Sequence, residues 1–130
     1  RTQVELIGVQ SSDSSFPHSR RINRIVQFVE KNYNRKISLE DVGEQVGMSA
    51  SSVSRFFKKR TRHNFWDYLN GFRIDRAAQM MIETEHTISE ISYACGFNNI
   101  SNFNRVFRER IGTTPSDYRN KFKESIIPDR

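Results

Sequence analysis

The feature that most constrains the fold of this chain is a short pattern that occurs twice, with its copies 49 or 50 residues apart. Each copy opens with a hydroxyl residue followed three positions later by an acid, at Ser38–Asp41 and at Thr87–Glu90. This spacing is typical of a capping box, which begins a helix. Each copy then runs through a short predicted helix to a glycine, Gly47 or Gly96, and on to a longer amphipathic stretch. Two helices joined by a glycine-containing turn form a helix-turn-helix, so the sequence predicts two of these motifs.

The two copies correspond position by position, with side chains of similar size or role. Up to the turn the offset is 49, and it pairs Ser38, Val42, Val46, Gly47 and Met48 with Thr87, Ile91, Cys95, Gly96 and Phe97. Beyond the turn the offset is 50, and it pairs Val53, Arg55, Phe57 and Lys58 with Phe103, Arg105, Phe107 and Arg108. The second turn is therefore predicted to be one residue longer than the first.

The stretch between the two copies, Phe65–Glu83, is predicted to be one long helix. It contains no proline, and its apolar residues recur mostly in steps of three and four. Asn64 is placed to cap its start. At about 1.5 Å of rise per residue the helix would be about 28 Å long. We interpret it as a spacer that holds two equivalent modules apart.

Helices are also predicted at both ends of this arrangement. An amphipathic first helix runs from Arg20 to about Tyr33, and a last helix begins at Thr114–Asp117, where a proline follows a capping threonine. The sequence therefore predicts an all-α fold of about seven helices, with two helix-turn-helix subdomains joined by a long linking helix. The predicted boundaries are 1–19 for a serine-rich linker, 20–63 for the first subdomain, 64–84 for the linking helix, 85–124 for the second subdomain and 125–130 for a tail.

The composition favours a basic protein that works in water. Lys and Arg number 21 against 15 Asp and Glu, and the net charge of +6 suits an acidic polymer as partner. The single cysteine, Cys95, excludes an internal disulfide framework. No apolar run approaches the roughly twenty residues that a membrane-spanning helix needs, and no signal peptide opens the chain. We therefore expect a soluble cytoplasmic protein without a membrane partner.

The second helix of each copy has an apolar and a polar face. The apolar face is predicted to carry Val53, Phe56, Phe57 and Arg60 in the first copy, and Phe103, Val106 and Phe107 in the second. Arginine can pair bidentately with guanine and asparagine suits adenine, whereas a basic residue one turn further on suits phosphate. The polar faces therefore predict base reading by Ser51, Ser54, Arg55, Ser101, Asn104 and Arg105, and phosphate contacts by Lys58 and Arg108.

Two other interpretations of these polar faces stay open at this point. A polar helix face is often simply solvated, and a basic helical module can instead bind an acidic protein partner. The arginine that recurs at the same place, Arg55 and Arg105, favours DNA, because a protein-interaction module would not require it.

The sequence does not favour an enzyme. His18, His63 and His86 are isolated and have no partner at metal-ligand spacing. Cys95 falls at a predicted core position, where a cysteine acts as a small hydrophobic residue. We found no glycine-rich phosphate loop and no pattern that resembles a catalytic triad. We therefore expect no catalytic activity, no cofactor and no metal.

The chain resembles the AraC/XylS family of bacterial transcription regulators from about Arg20 to Phe122, most specifically between Ile88 and Arg119. The residues that carry the resemblance are Arg55–Lys59, Tyr68, Leu69, Arg73, Ala77, Ile91, Gly96, Phe97, Ser101, Phe103, Arg105, Phe107, Gly112, Pro115, Tyr118 and Arg119. The resemblance implies two helix-turn-helix subdomains that insert their second helices into successive major-groove segments of double-stranded DNA. By position, it implies the same six base-reading residues as the polar faces.

The resemblance also implies partners, and the chain departs from the family pattern at Arg62. RNA polymerase is an expected partner, and so is an upstream effector-binding or dimerisation domain. Because the chain begins at Arg1 and its first methionine is Met48, we expect that domain to be absent from this fragment. Arg62 stands where the family usually has glycine, which predicts either a turn that closes differently or a strained left-handed backbone at a residue other than glycine.

Overall fold

The computed structural model describes residues 17–126, with side chains over residues 20–125. Seven helices occupy this range, and it contains no strand. They are α1 (Pro17–Asn32), α2 (Leu39–Val46), α3 (Ala50–Thr61), α4 (Phe65–Glu83), α5 (Ile88–Ala94), α6 (Ile100–Ile111) and α7 (Pro115–Ile126). The predicted all-α fold of seven helices is confirmed. Residues 1–16 of the predicted linker and residues 127–130 of the predicted tail lie outside the described part of the chain.

Helix α1 begins three residues before its predicted start, at Pro17. Proline suits the first position of a helix, because its fixed φ is already helical and its missing N–H would have no partner there. Ile22, Ile25, Val26 and Val29 then repeat along one face of α1 and are buried.

Both predicted capping boxes are present. The Ser38 hydroxyl accepts a hydrogen bond from the Asp41 backbone N–H at 3.0 Å, and the Asp41 carboxylate accepts from the Ser38 N–H at 3.1 Å. Thr87 and Glu90 make the same two bonds at 3.0 and 2.8 Å. These bonds satisfy N–H groups that a helix start leaves without a partner, so they fix where α2 and α5 begin.

The two turns share a left-handed glycine and one hydrogen bond, although residues 47–49 separate α2 from α3 and the longer stretch 95–99 separates α5 from α6. Gly47 and Gly96 both have a left-handed φ, of 71° and 95°. The backbone N–H of Met48 donates to the Gly43 carbonyl at 3.0 Å, and 49 positions later the N–H of Phe97 donates to the Ser92 carbonyl at 3.0 Å. The sequence repeat is therefore a repeat of structure.

The second helix of each motif also begins and ends in the same way. Ser49 caps α3 and Asn99 caps α6, each through its side-chain oxygen. The residues that follow the two helices, Arg62 and Gly112, lie 50 positions apart and both have a positive φ, of 68° and 95°. Of the two alternatives predicted at Arg62, the structure has the left-handed backbone. A side chain makes that conformation less favourable at Arg62 than at Gly112.

The chain divides into two compact units, and the division falls inside α4, between Phe72 and Arg73. In the first unit, α1, α2 and α3 pack with the first turns of α4 around one apolar core. The aromatic rings of Phe57 and Tyr68 lie 5.4 Å apart, and those of Phe57 and Phe65 lie 5.5 Å apart. The predicted bounds of α4 are confirmed, and each unit includes a part of this helix.

In the second unit, aromatic rings from α6 form the centre of the core. The Phe103 ring lies 5.1 Å from the ring of Phe97 and 5.7 Å from that of Phe107, which in turn lies 5.7 Å from the Tyr118 ring. Phe103 and Phe107 have no exposed surface. This packing fixes which face of α6 points away from the core.

Two arginines tie the helices of the second unit together. Arg110 of α6 donates two hydrogen bonds to the Asp75 carboxylate of α4, at 3.0 and 2.9 Å. Arg119 of α7 donates to three backbone carbonyls at the end of α4 and just beyond it, those of Met81, Thr84 and His86. Planar guanidinium groups suit such paired contacts, so these arginines orient α6 and α7 relative to α4.

Candidate nucleic-acid interface

The outer face of α3 carries the residues predicted to read bases in the first module. Ser51, Arg55 and Lys58 are exposed, and Ser54 is half-buried. On the opposite face, Val53 and Phe57 are buried in the core of the first unit. The core therefore fixes the rotation of α3 and presents these polar side chains to solvent.

One predicted position on α3 is wrong. Arg60 was assigned to the packing face together with Val53 and Phe57, but its side chain is exposed. Thr61 is buried in its place, and its hydroxyl donates to the Phe57 carbonyl at 2.8 Å. The two residues are neighbours on the helix surface at its last turn, and the short side chain that can bond to its own backbone takes the buried place.

The outer face of α6 is exposed at every position predicted to contact DNA. Ser101, Asn104, Arg105 and Arg108 are all exposed, whereas Val106 on the other side is half-buried. An α-helix fits the width of the DNA major groove, so a polar ridge of this kind on α6 has the dimensions needed for base contacts.

The guanidinium of Arg105 is held on both sides by side chains of its own helix. Its Nη1 donates to the two carboxylate oxygens of Glu109, one turn towards the C-terminus, at 3.2 and 3.1 Å. Its Nη2 donates to the Oδ1 atom of Asn102, one turn towards the N-terminus, at 2.7 Å. The side chains of Arg105 and Glu109 are 60% and 63% exposed, so their ion pair adds little to stability. In the structure the guanidinium nevertheless lies between Asn102 and Glu109 and contacts both.

Arg55, the matching residue of α3, lacks this arrangement. Where α6 has Asn102 and Glu109, α3 has Ser52 and Lys59. No side chain within residues 20–125 pairs with the Arg55 guanidinium. The matching arginines therefore differ: Arg105 has hydrogen-bond partners on its own helix, whereas Arg55 has none among the described residues.

The two helices also differ in charge. Helix α3 carries Arg55, Lys58, Lys59 and Arg60 and no acidic residue, which gives a formal charge of +4. Helix α6 carries Arg105, Arg108 and Arg110 against Glu109, so its formal charge is three minus one, or +2. Arg110 is further neutralised by Asp75. Since positive charge attracts DNA phosphates irrespective of sequence, α3 is better suited to non-specific attraction than α6.

A groove of about 820 Å³ runs beside α6 within the second unit. Its walls include Asn104, Arg105 and Arg108 of α6 and the first residues of α7, Pro115 and Ser116. The start of α7 is capped by the hydroxyl of Thr114, which accepts from the Asp117 N–H at 3.1 Å. A helix N-terminus carries partial positive charge, so it adds to the positive charge of Arg108 along this groove.

The three histidines and the cysteine lie outside α3 and α6. His63 and His86 lie in the turns that follow α3 and α4, and His18 lies in the first turn of α1. Among the described residues, no group of three or more His, Cys, Asp or Glu side chains could hold a metal ion. Cys95 is fully buried, as predicted, and burial raises the pKa of its thiol to about 11. In the same part of the chain, no helix is long and apolar enough to cross a membrane.

Two residues of this surface, Asn102 and Glu109, were not singled out from the sequence. The signal was present, because residues three and four positions apart on a helix are neighbours and Glu109 lies four positions after Arg105. The exposed Lys59 and Arg60 of α3 also extend the basic surface beyond the predicted Lys58.

Comparison with known families and proteins matches this arrangement to helix-turn-helix domains. A family model described as a helix-turn-helix domain matches residues 42–121. The HTH-type transcriptional activator RhaS of Salmonella schwarzengrund is 28% identical over 107 residues, which make up 82% of this chain and 38% of RhaS. The chain thus spans well under half the length of the curated relatives that it matches.

Solved structures have the same fold. The C-terminal domain of the two-component response regulator YesN from Fusobacterium nucleatum matches with a TM-score of 0.73 and 28% identity, covering 77% of this chain and 98% of that domain. A transcriptional regulator of Chromobacterium violaceum, described as an AraC-type DNA-binding domain-containing protein, matches with a TM-score of 0.73 and 27% identity. This match covers 78% of the present chain and 91% of the other.

Proposed function

Because the chain belongs to the helix-turn-helix domain family, and within it to the AraC type, we propose that it binds double-stranded DNA sequence-specifically, as the DNA-binding part of a bacterial transcription regulator. The observation that carries the proposal is the duplicated second helix. In both α3 and α6, buried aromatic residues fix one face, and an exposed polar ridge with an arginine at the matching position forms the other.

The residues of the two ridges divide into two roles. Arg55 and Arg105 have the donor geometry that pairs with the O6 and N7 atoms of guanine, and Asn104 can pair with adenine. Ser51, Ser54 and Ser101 complete the proposed base-reading set. Lys58 and Arg108 lie one turn beyond the arginines, where a basic side chain meets the phosphate backbone.

We also propose that one chain engages two successive major-groove segments, one with α3 and one with α6. The structural basis is that each unit holds a complete helix-turn-helix with its own core. Successive segments on one side of B-DNA repeat about every 34 Å, so the expected footprint is about two helical turns. In this proposal residues 20–63 and 85–124 are the two DNA-binding subdomains, and residues 64–84 link them.

The length of the relatives supports a proposal for the wider biological role. RhaS is described as a transcriptional activator, and the present chain corresponds to 38% of it. We propose that this chain acts in the cytoplasm as part of a longer regulator with an effector-binding or dimerisation domain. RNA polymerase is its proposed partner at the promoter. The chain itself is proposed to bind rather than to catalyse.

The test is selection of duplexes from a random pool, followed by footprinting on the recovered sequence. We expect one enriched sequence and protection of about two turns, roughly 20 base pairs, at saturation. Protection of a single turn would mean that only one module docks. Enrichment of no sequence would overturn the proposal and leave the basic protein-interaction module as the alternative.

A variant with both Arg55→Ala and Arg105→Ala should not enrich that sequence. The matched control is Lys31→Ala with Lys121→Ala, which removes the same charge from exposed positions on α1 and α7. If the control variant lost selectivity as well, net charge rather than the polar ridges would carry recognition.

A further inference from the structure

We infer that Glu109 and Asn102 are positioning residues for DNA recognition, which fix the guanidinium of Arg105 for contact with a guanine. This inference rests on the function proposed above and deepens it. Neither residue needs to touch DNA itself. Their effect on sequence preference acts through the orientation of Arg105.

The geometry leaves the right donors available. Glu109 occupies Nη1 of Arg105 and Asn102 takes one N–H of Nη2, at distances between 2.7 and 3.2 Å. The Nε–H group and the other N–H of Nη2 have no acceptor among the described residues. Guanine offers two acceptors, O6 and N7, on its major-groove edge. An arginine can therefore keep its two helix neighbours while it donates to the base.

The arrangement matters because a free arginine side chain samples many rotamers. Ordering such a side chain on binding weakens the complex, and a side chain that is already ordered avoids that loss. Glu109 has a second effect on random DNA. Its negative charge, next to Arg105, reduces the attraction of that arginine for phosphates in any sequence. Both effects favour the preferred sequence over random DNA.

The first module provides the contrast. Arg55 has Ser52 and Lys59 at the two corresponding positions, and a lysine repels a guanidinium where a carboxylate would hold it. When Arg55 contacts a base, its side chain therefore loses its full conformational entropy on binding. We expect base discrimination to come mainly from α6, and sequence-independent attraction to come mainly from the more basic α3.

The experiment compares Glu109→Asp with the unmodified chain. This variant keeps the charge but withdraws the carboxylate by one carbon–carbon bond, about 1.5 Å. The probes are the duplex that the unmodified chain selects from a random pool and a scrambled duplex of the same composition. The specificity ratio is the Kd for the scrambled duplex divided by the Kd for the selected one. We expect Glu109→Asp to lower this ratio by about twofold to tenfold, with an unchanged salt dependence.

The same substitution in an Arg105→Ala background is the decisive arm. With no guanidinium to position, Glu109→Asp should leave the specificity ratio unchanged. The matched control is Glu124→Asp, an exposed glutamate of α7 for which no partner lies within the described residues. It should leave the ratio unchanged in both backgrounds. Circular dichroism of each variant checks that its helices have formed, and the exposed ion pair makes unfolding unexpected.

The outcomes separate this inference from the proposed function. An unmodified chain that binds both duplexes equally would overturn the proposed function. An unmodified chain that discriminates, with a ratio that Glu109→Asp does not change, would overturn the positioning role alone. An equal loss in the Arg105→Ala background would also overturn it, because Glu109 would then act without Arg105.

Discussion

We expect replacement of Arg119 by methionine to destabilise the second unit more than any exposed arginine substitution. Arg119 donates from Nε to the Met81 carbonyl at 3.0 Å, from Nη2 to the Thr84 carbonyl at 3.1 Å and from Nη1 to the His86 carbonyl at 2.7 Å. The Met81 carbonyl lies in the last turn of α4, where carbonyls have no donor within the helix, and the Thr84 and His86 carbonyls lie just beyond it. This single side chain therefore satisfies three carbonyls at the end of α4. Its positive charge also lies at the negative end of α4.

The size of the expected decrease in unfolding free energy follows from how far these three hydrogen bonds are buried. Two of the three bonds are partly buried, and the bond to the His86 carbonyl is exposed. A hydrogen bond from a charged donor contributes about 1.5–3 kcal/mol when buried and less where water can replace it. We therefore expect Arg119→Met to lower the free energy of unfolding by about 2–4 kcal/mol. Arg119→Lys should lower it by about half as much, because an ammonium group cannot reach all three carbonyls at once.

Urea denaturation followed by circular dichroism measures the change, and hydrogen exchange of the α6 amides localises it to the second unit. Arg108→Met is the control, because Arg108 is exposed and no described side chain pairs with it. Its effect should stay within about 0.5 kcal/mol. An Arg119→Met variant as stable as this control would show that the three carbonyl contacts are replaced by water without loss, and the argument would be wrong.

Three further substitutions test the backbone and the core. Gly43→Ala should lower the free energy of unfolding by about 1–3 kcal/mol, because the added Cβ would collide with the backbone carbonyl oxygen of Met48. An unchanged midpoint in urea denaturation would contradict this. Arg62→Gly should raise the free energy of unfolding by about 1 kcal/mol, measured in the same way, since φ at Arg62 is 68°. Tyr68→Phe should raise it by about 1 kcal/mol, because the buried Tyr68 hydroxyl has no partner among the described residues, and a loss of stability would reveal one.

Helix ends were predictable from the sequence because their causes are local. Ser38 and Thr87 fix the starts of α2 and α5 through bonds that span three residues, and no distant part of the chain is needed to place them. The left-handed backbone at Arg62 was one of two alternatives predicted from the glycine that the AraC/XylS family usually has at this position. For both capping boxes a stretch of four residues contained the whole physical argument.

Features that depend on packing between helices were not predictable in the same way. Arg60 and Thr61 are adjacent at the edge of the buried face of α3, and helical periodicity alone does not decide which of them is buried. The boundary between the two units falls after Phe72, and nothing in the sequence of α4, which is helical throughout, indicates it. It depends on which other helices each part of α4 packs against.

The candidate site shows both situations. Exposure of Arg105 and Arg108 followed from the apolar spacing of Phe103 and Phe107, because a helix face opposite two buried rings points to solvent. The ion pair between Glu109 and Arg105 could be predicted from their four-residue spacing. The groove along α6 and α7 could not be predicted from the sequence, because it depends on how the two helices pack against each other.

The most direct test of the account separates base contacts from phosphate contacts within one helix. Arg105→Ala and Arg108→Ala are titrated against the selected duplex and a scrambled duplex at several salt concentrations. We expect Arg105→Ala to weaken binding to the selected duplex by about 1–3 kcal/mol and to change binding to the scrambled duplex much less. Arg108→Ala should weaken both alike and lower the slope of log K against log salt by about one. Equal losses on both duplexes for Arg105→Ala would mean that Arg105 holds phosphate, and would contradict the assignment of this face of α6 to base reading.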